Sequence, residues 1–485
     1  MYPRNLLLAL AAPLAVMAQQ AFFASPVVDL PVPEQDLHAL SETEFTTFMH
    51  PSYPKHRVRV KKTTGWCDTT GAASFTGYID IDAHHLFFYF FESRNKPAED
   101  PVLMWINGSS AMGLFDELGP CSIGKEEKPI HNPWSWSNNA SVFFLDQPVR
   151  VGFSYADHGE KRTTSEAAVD FAAFATIFFE SFTKFKGLPF HMSGESYAGR
   201  YLPEFAAALY DANTLAVTEG RTPVNLQSVI IGNGFTTMLH MCLSSYDLLC
   251  TSASVEPLLP ISVCVRMKTV MPRCKKWYTA SCVNSFDTIN CEAAMEFCMQ
   301  ELFFVQGKTG RDPYDLTYPC DSPPNSEVSL CYRESENEHI ESYLNRANVR
   351  KMLGVDKAVG NFSMSSGQVN MDFAMAGDLM LSSRPHTVEL LERGIRVLSY
   401  VGTYDWIANW VGNLRSANEL EWSGANRFRA AELREWSVQG KKAGIVKSFG
   451  PFTFATVDSA SHLVPREKPE ESLAMLNRWL SEKPL

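Results

Sequence analysis

Apolar residues in this chain come as short unbroken runs closed by turn residues, separated by stretches with a helical period. Gly77-Tyr78-Ile79-Asp80-Ile81 and His85-Leu86-Phe87-Phe88-Tyr89-Phe90-Phe91 are the first two runs. Others lie at 102–106, 142–145, 189–192, 229–231, 397–401 and 452–457. Short apolar runs bounded by turn residues, as at 102–106 and 142–145, predict strands buried on both faces, as in a parallel sheet. Thr163-x-x-Glu166 has the spacing of a capping box, and Val169, Ala173 and Ile177 follow at helical intervals. Strands alternating with helices predict an α/β fold with a central, mostly parallel sheet and helices on both faces.

The rhythm is lost over 235–333, where cysteines dominate. The chain has 11 cysteines, seven of them between 242 and 298. We read 235–335 as a disulfide-rich insertion, a lid over the top of the sheet, dividing the core into 63–234 and 336–485. The cysteine count is odd, so at least one thiol is unpaired within the chain. The first 18 residues have the charge, apolar run and small-residue site of a signal peptide, and 19–62 is expected to be a propeptide or N-terminal arm. A leader before a cysteine-rich chain implies an oxidising route, so secretion or vacuolar delivery is expected. The triplets at Asn139 and Asn361 are glycosylation sequons. A net charge of -11 disfavours a general nucleic-acid binder. No later run reaches bilayer-spanning length, so no membrane anchor is expected. The absence of C-x-x-C, H-E-x-x-H and G-x-x-x-x-G-K-[ST] gives no reason to expect a metal or a nucleotide cofactor.

The strongest chemical signal is Gly194-Glu195-Ser196-Tyr197-Ala198-Gly199, between a predicted strand and a predicted helix. A nucleophilic serine on a sharp strand-to-helix turn needs small residues two positions away on each side, and Gly194 and Ala198 supply them. A serine hydroxyl also needs a base, and the base an orienting acid. Asp405 follows the run at 397–401, and His462 follows the last apolar run. Both stand where a loop leaves the C-terminal end of a strand, and the order serine, acid, histidine is that of α/β-hydrolases.

Taken in order, Trp105-Ile106-Asn107-Gly108, Gly113-Leu114-Phe115-Asp116-Glu117-Leu118-Gly119-Pro120 and Asn132-Pro133-Trp134-Ser135-Trp136 precede Leu145-Asp146-Gln147-Pro148-Val149 and Gly152-Phe153-Ser154-Tyr155. The elbow, Ile231-Gly232-Asn233-Gly234, Asp405 with Asn409-Trp410-Val411-Gly412-Asn413, and His462 with Val464-Pro465 complete the series. This set resembles the serine carboxypeptidases of fungal type, members of the α/β-hydrolase superfamily. The resemblance implies a serine-type enzyme that releases C-terminal residues from peptides and proteins at acid pH. Ser196, His462 and Asp405 would be nucleophile, base and orienting acid, and the Tyr197 amide an oxyanion donor. Asn107, Gly108, Glu117 and Glu195 would hold the substrate's terminal carboxylate. Two carboxyls in one buried site do not both ionise, so one is expected to keep a proton and donate it to that carboxylate.

The chain departs from the family after Gly108, which runs directly into Ser109-Ser110. About four residues of a glycine-rich oxyanion loop are absent relative to the family pattern, and loss of one such donor costs roughly 100- to 1000-fold in rate. The alternative expectation is therefore a catalytically impaired homologue that binds peptides without turnover. The family's loop often carries a cysteine, whose absence would account for the odd count. Asp116 stands where an apolar residue is common in the family, near the pocket for the leaving residue, and would favour basic leaving residues.

Overall fold

The apolar runs become neighbouring strands of one sheet. The computed structural model describes residues 36–107, 110–159, 163–320 and 334–485. The expected signal peptide, the first part of the expected arm, Gly108 and Ser109 of the shortened loop, and Cys331 lie outside the described residues. In chain order the strands are β1 (Thr46–His50), β2 (Tyr53–Thr63), β3 (Ser74–Ile81), β4 (His84–Phe91), β5 (Val102–Ile106), β6 (Cys121–Ile123), β7 (Pro129–His131) and β8 (Ser141–Leu145). Then come β9 (Tyr155–Ala156), β10 (Phe190–Glu195), β11 (Leu226–Gly232), β12 (Arg396–Gly402), β13 (Arg434–Val438), β14 (Lys441–Phe449) and β15 (Phe452–Val457). All but β6 and β7 join one sheet, ordered β1-β2-β3-β4-β8-β5-β10-β11-β12-β15-β14-β13, with β9 beside β4. The six strands from β8 to β15 in that order run parallel, and antiparallel strands extend the sheet on both sides. This is the α/β-hydrolase arrangement the sequence leads one to expect.

Strand alternation separates two cores. Along β4, Phe88 and Phe90 face a layer that includes Phe171, Phe174 and Phe178 of the helix Thr164–Ser181. Phe87, Tyr89 and Phe91 face the opposite layer, with Trp136 and with Leu476 and Trp479 of the helix Pro469–Leu480. Met104 and Ile106 on β5 divide from Leu103 and Trp105 in the same way. The sheet is thus buried on both faces, which is why its parallel strands read as unbroken apolar runs.

Part of the segment read as a propeptide or arm is built into the sheet. β1 pairs with β2 and β2 with β3, placing Val58 and Val60 in the core. The cysteine-rich region is helical: its longest segments are Met238–Cys250, Ile261–Tyr278 and Thr288–Cys298. Disulfides Cys250–Cys264, Cys274–Cys298 and Cys282–Cys291 tie these helices, and Cys67–Cys121 lies in the core. Cys320 is also disulfide-bonded. The free cysteine among the described residues is Cys242, a buried thiol whose pKa burial raises. Of the sequon asparagines at 139 and 361, Asn361 is exposed, whereas Asn139 donates its side-chain amide to Asn477.

Candidate active site

The parallel strands end on one edge, and the candidate residues follow them. β10 stops at Glu195 and the helix Ala198–Thr218 begins three residues later. The chain makes this turn at Ser196, whose φ of 64° lies in the left-handed region. A Cβ on Gly194 would come 2.2 Å from the Ile106 carbonyl oxygen, and one on Gly199 would come 2.6 Å from the Phe235 amide nitrogen. The small residues of the motif are therefore a packing requirement of the turn. The Ser196 amide donates to the Gly232 carbonyl at 3.1 Å, and the Ser196 carbonyl accepts from Phe235 at 2.9 Å. Tyr197 caps the helix, so its amide belongs to the group of N-terminal N–H donors that a helix leaves open. Its phenol donates to Asp378 at 2.6 Å, and this buried aspartate also accepts from the amide and hydroxyl of Thr164.

Asp405 and His462 follow the neighbouring strands β12 and β15. Their side chains meet, with His462 Nδ1 2.8 Å from Asp405 Oδ2, and both are buried. Asn233, just beyond β11, donates to the same aspartate oxygen at 2.8 Å and to the Ser461 carbonyl at 3.2 Å. The histidine amide donates to the Tyr314 carbonyl at 3.0 Å, and the Tyr314 ring packs edge-on against the imidazole at 4.9 Å. Ser461 in turn is held by Glu467, through its amide at 2.6 Å and its hydroxyl. The imidazole is thereby fixed on one side by a buried acid, leaving Nε2 for proton transfer.

Beside this pair lies a second group. Asn107, at the end of β5, accepts from the Trp105 indole and donates to Glu117 Oε1 at 2.9 Å. Glu117 closes the turn Gly113–Glu117 and is buried, as is Glu195. Among the described residues, Glu117 Oε2 and both oxygens of Glu195 have no hydrogen-bond donor. Burial pushes both carboxyls upward, and the charge of Glu117 raises Glu195 further, well above the usual carboxylate range. The electrostatic coupling of the two carboxyls disfavours their both being ionised at once. A protonated carboxyl is a hydrogen-bond donor, where an ionised one can only accept. On the far side of the shortened loop, the Ser110 hydroxyl donates to buried Asp146, itself pushed up to about 7 by burial. Gly152, at φ 62°, has no room for a Cβ against this pair.

The family model described as serine carboxypeptidase matches residues 67–482. The chain belongs to the serine carboxypeptidase family. It is similar to a carboxypeptidase Y of Candida albicans, 39% identical over 434 residues, which are 88% of this chain and 77% of that protein. It is also 39% identical over 414 residues to a vacuolar serine-type carboxypeptidase of Saccharomyces cerevisiae, covering 84% of this chain and 79% of that one. Among solved structures, a prohormone-processing carboxypeptidase of Saccharomyces cerevisiae superposes with a TM-score of 0.69 at 22% identity, over 85% of this chain and 92% of that chain. That last likeness speaks for the fold.

In this serine carboxypeptidase, Asp405 and His462 are brought into contact, Ser196 and Tyr197 share the elbow, and Asn107, Glu117 and Glu195 form one buried group. Gly108 lies outside the described residues. Sequence reasoning singled out neither Asn233 nor Tyr314 as part of the site. Asn233 left a signal, an asparagine between two glycines after an apolar run; its φ is 41°. Tyr314 left none, because it reaches His462 from the region whose elements were not legible.

The raised carboxyls predict a pH dependence of stability. Between the ordinary glutamate pKa and its raised native position, the folded chain holds more protons than the unfolded one. Stability therefore falls as pH rises through this window. Urea unfolding at steps from pH 5 to pH 8 should show this fall, and Glu195→Gln should flatten it. An unchanged slope in Glu195→Gln would contradict the assignment.

Proposed function

We propose that this chain cleaves the last peptide bond of peptides and proteins through an acyl-enzyme, with Ser196, His462 and Asp405 as its catalytic residues. The observation that carries the reading is the pairing of two environments: a buried Asp405–His462 dyad on the strand edge that bears Ser196, and a buried carboxyl pair beside it. His462 takes the proton as Ser196 Oγ attacks the scissile carbonyl, and Asp405 stabilises the imidazolium. The Tyr197 amide donates to the oxygen that becomes negative. When the tetrahedral adduct collapses, His462 returns the proton to the departing amine. Water then attacks the ester, with His462 again as base.

Asn107, Gly108 and the Glu117–Glu195 pair would hold the free carboxylate of the departing residue. An anion is welcome there only while the pair keeps its proton; once both carboxyls ionise, it is repelled. Binding is therefore strongest at acid pH and weakens as pH rises. An esterase on the same scaffold has no use for such a pair.

Localisation follows the same reading. The leader-like first 18 residues, the disulfides and the vacuolar designation of one relative support passage through the secretory pathway to a vacuole or the exterior. Among the described residues no helix is long and apolar enough to cross a membrane. Sequencing the N-terminus of protein recovered from its cells should give a start beyond residue 18. A start at Met1 would contradict the leader.

The activity test is release of the last residue from an N-blocked dipeptide and from its C-terminal amide, at pH 5 and pH 8. The free acid should be cleaved faster at pH 5, chiefly through KM, and in preference to the amide. Ser196→Ala should lose at least about 1000-fold in kcat. If the folded chain releases nothing, the reading as a working peptidase fails. Restoring the absent loop residues then shows whether the shortened loop is the cause.

A further inference from the structure

The Ser196–Tyr197 peptide carries the backbone donor that the reading above assigns to the oxyanion, so whatever fixes this peptide fixes that donor. Its carbonyl is held by two amides, Phe235 at 2.9 Å and Gly199 at 3.0 Å. A trans peptide directs its N–H opposite to its carbonyl, so these bonds turn the Tyr197 amide away from them. They leave the plane free to rock about its far end, the Tyr197 Cα. Ser196 supplies a reason to rock, since its φ of 64° is held at a cost by any residue with a side chain.

The far end is tied through the side chain. The Tyr197 phenol donates at 2.6 Å to Asp378, a fully buried residue that opens the short turn Asp378–Met380. The same carboxylate accepts from the Thr164 amide at 2.9 Å and the Thr164 hydroxyl at 2.8 Å, and Arg200 Nη2 lies 3.7 Å from it. Arg200 Nε also donates to the Asp378 backbone carbonyl at 3.3 Å. A buried carboxylate is stable only when bonded in this way, and the bonds make it a rigid anchor. The helix Thr164–Ser181 does not need Asp378 as its cap, because the Thr163 side chain already accepts from the Glu166 amide. Burial and the Asp378 charge both raise the phenol's pKa, so Tyr197 remains a donor over the ordinary pH range. Its ring is further steadied edge-on by Tyr201 and Phe373.

We propose that Asp378 is a positioning residue for the oxyanion donor: by holding the Tyr197 phenol, it keeps the Ser196–Tyr197 peptide in the orientation the tetrahedral adduct needs. The inference rests on the assignment of Ser196 as nucleophile and of the Tyr197 amide as oxyanion donor. Asp378 acts through Tyr197 and touches neither substrate nor reacting atoms. In a chain whose other oxyanion loop is shortened, the Tyr197 amide carries a larger share of the charge stabilisation, and an error in its direction costs more. Loss of the tie is therefore felt when the carbonyl carbon becomes tetrahedral, and not when substrate merely binds.

The test compares a tetrahedral adduct with a ground-state complex, so it needs no turnover. An N-blocked aminoalkyl boronic acid bonds through boron to Ser196 Oγ, whose proton passes to His462, and places a boron oxygen where the oxyanion forms. Calorimetry gives its Kd. Asp378→Asn and Tyr197→Phe should each weaken this adduct roughly tenfold, and the double variant should weaken it no further. Added to Ser196→Ala, the same substitutions should leave the Kd of an N-blocked dipeptide unchanged. If Asp378→Asn does not fold, Tyr197→Phe cuts the same bond and leaves the anchor with its other partners. Weakening of adduct and dipeptide by one common factor would mark a merely structural tie and overturn the proposal. Single effects that multiply in the double variant, or an adduct unchanged in Tyr197→Phe, would overturn it as well. No adduct with the wild-type chain would overturn the reading of Ser196 as nucleophile, and the proposal with it.

Discussion

A serine hydroxyl reaches the edge of a buried sheet only if the chain passes from central strand to helix within about two residues. Ser196 meets this demand in the left-handed region, at a cost of roughly 1–2 kcal/mol for a residue with a side chain. The cost is tolerated because the turn is clamped on every side. Gly194 passes under the Ile106 carbonyl, Gly199 lies against the segment after β11, and Ser196 is hydrogen-bonded through both its amide and its carbonyl. The rest of the site follows from the neighbours of β10. β11, β12 and β15 lie beside it in parallel, about 4.8 Å apart from strand to strand. Asn233, Asp405 and His462 thus converge although they are far apart in sequence. Parallel pairing is what brings them to one edge.

Much of this is legible in the sequence because both faces of the sheet are buried. A strand covered on both sides reads as a largely apolar run, and β5 and β8 are the clearest. The outer strands are not legible in the same way. β2 carries Lys55, Arg57, Arg59, Lys61 and Lys62 among its few apolar residues, since it is antiparallel and near an edge. A charged, basic stretch before the first apolar run resembles an arm, and only the pairing with β3 reveals it as sheet. The lid helices were hidden for another reason. Helix Ile261–Tyr278 has an exposed apolar end at Ile261 and Val265, a proline at 272 and cysteines that pair elsewhere, so its period is blurred. The roles of Asn233, Tyr314 and Asp378 depend on tertiary hydrogen bonds or ring contacts. No local pattern encodes those.

Electrostatics gives the site its direction. Near the Asp405–His462 pair lie two buried carboxyls, Glu117 and Glu195, that do not readily ionise together. Asp405 is stabilised by the imidazole and by the Asn233 amide. Among the described residues, Glu117 accepts from Asn107 and Glu195 has no donor. On the proposed reading, a carboxyl pair that keeps a proton is what receives the substrate's carboxylate.

The central claim is that Glu117 and Glu195 share a proton and use it to receive the terminal carboxylate. Proton exchange on binding tests this most directly. Calorimetric titration of Ser196→Ala with a free-acid dipeptide, repeated in buffers of different ionisation enthalpy near neutral pH, counts the protons taken up. The account predicts net uptake with the free acid, none with the peptide amide, and loss of the uptake in an added Glu195→Gln substitution. Binding of the free acid with no proton uptake at any pH between 6 and 8 would contradict it.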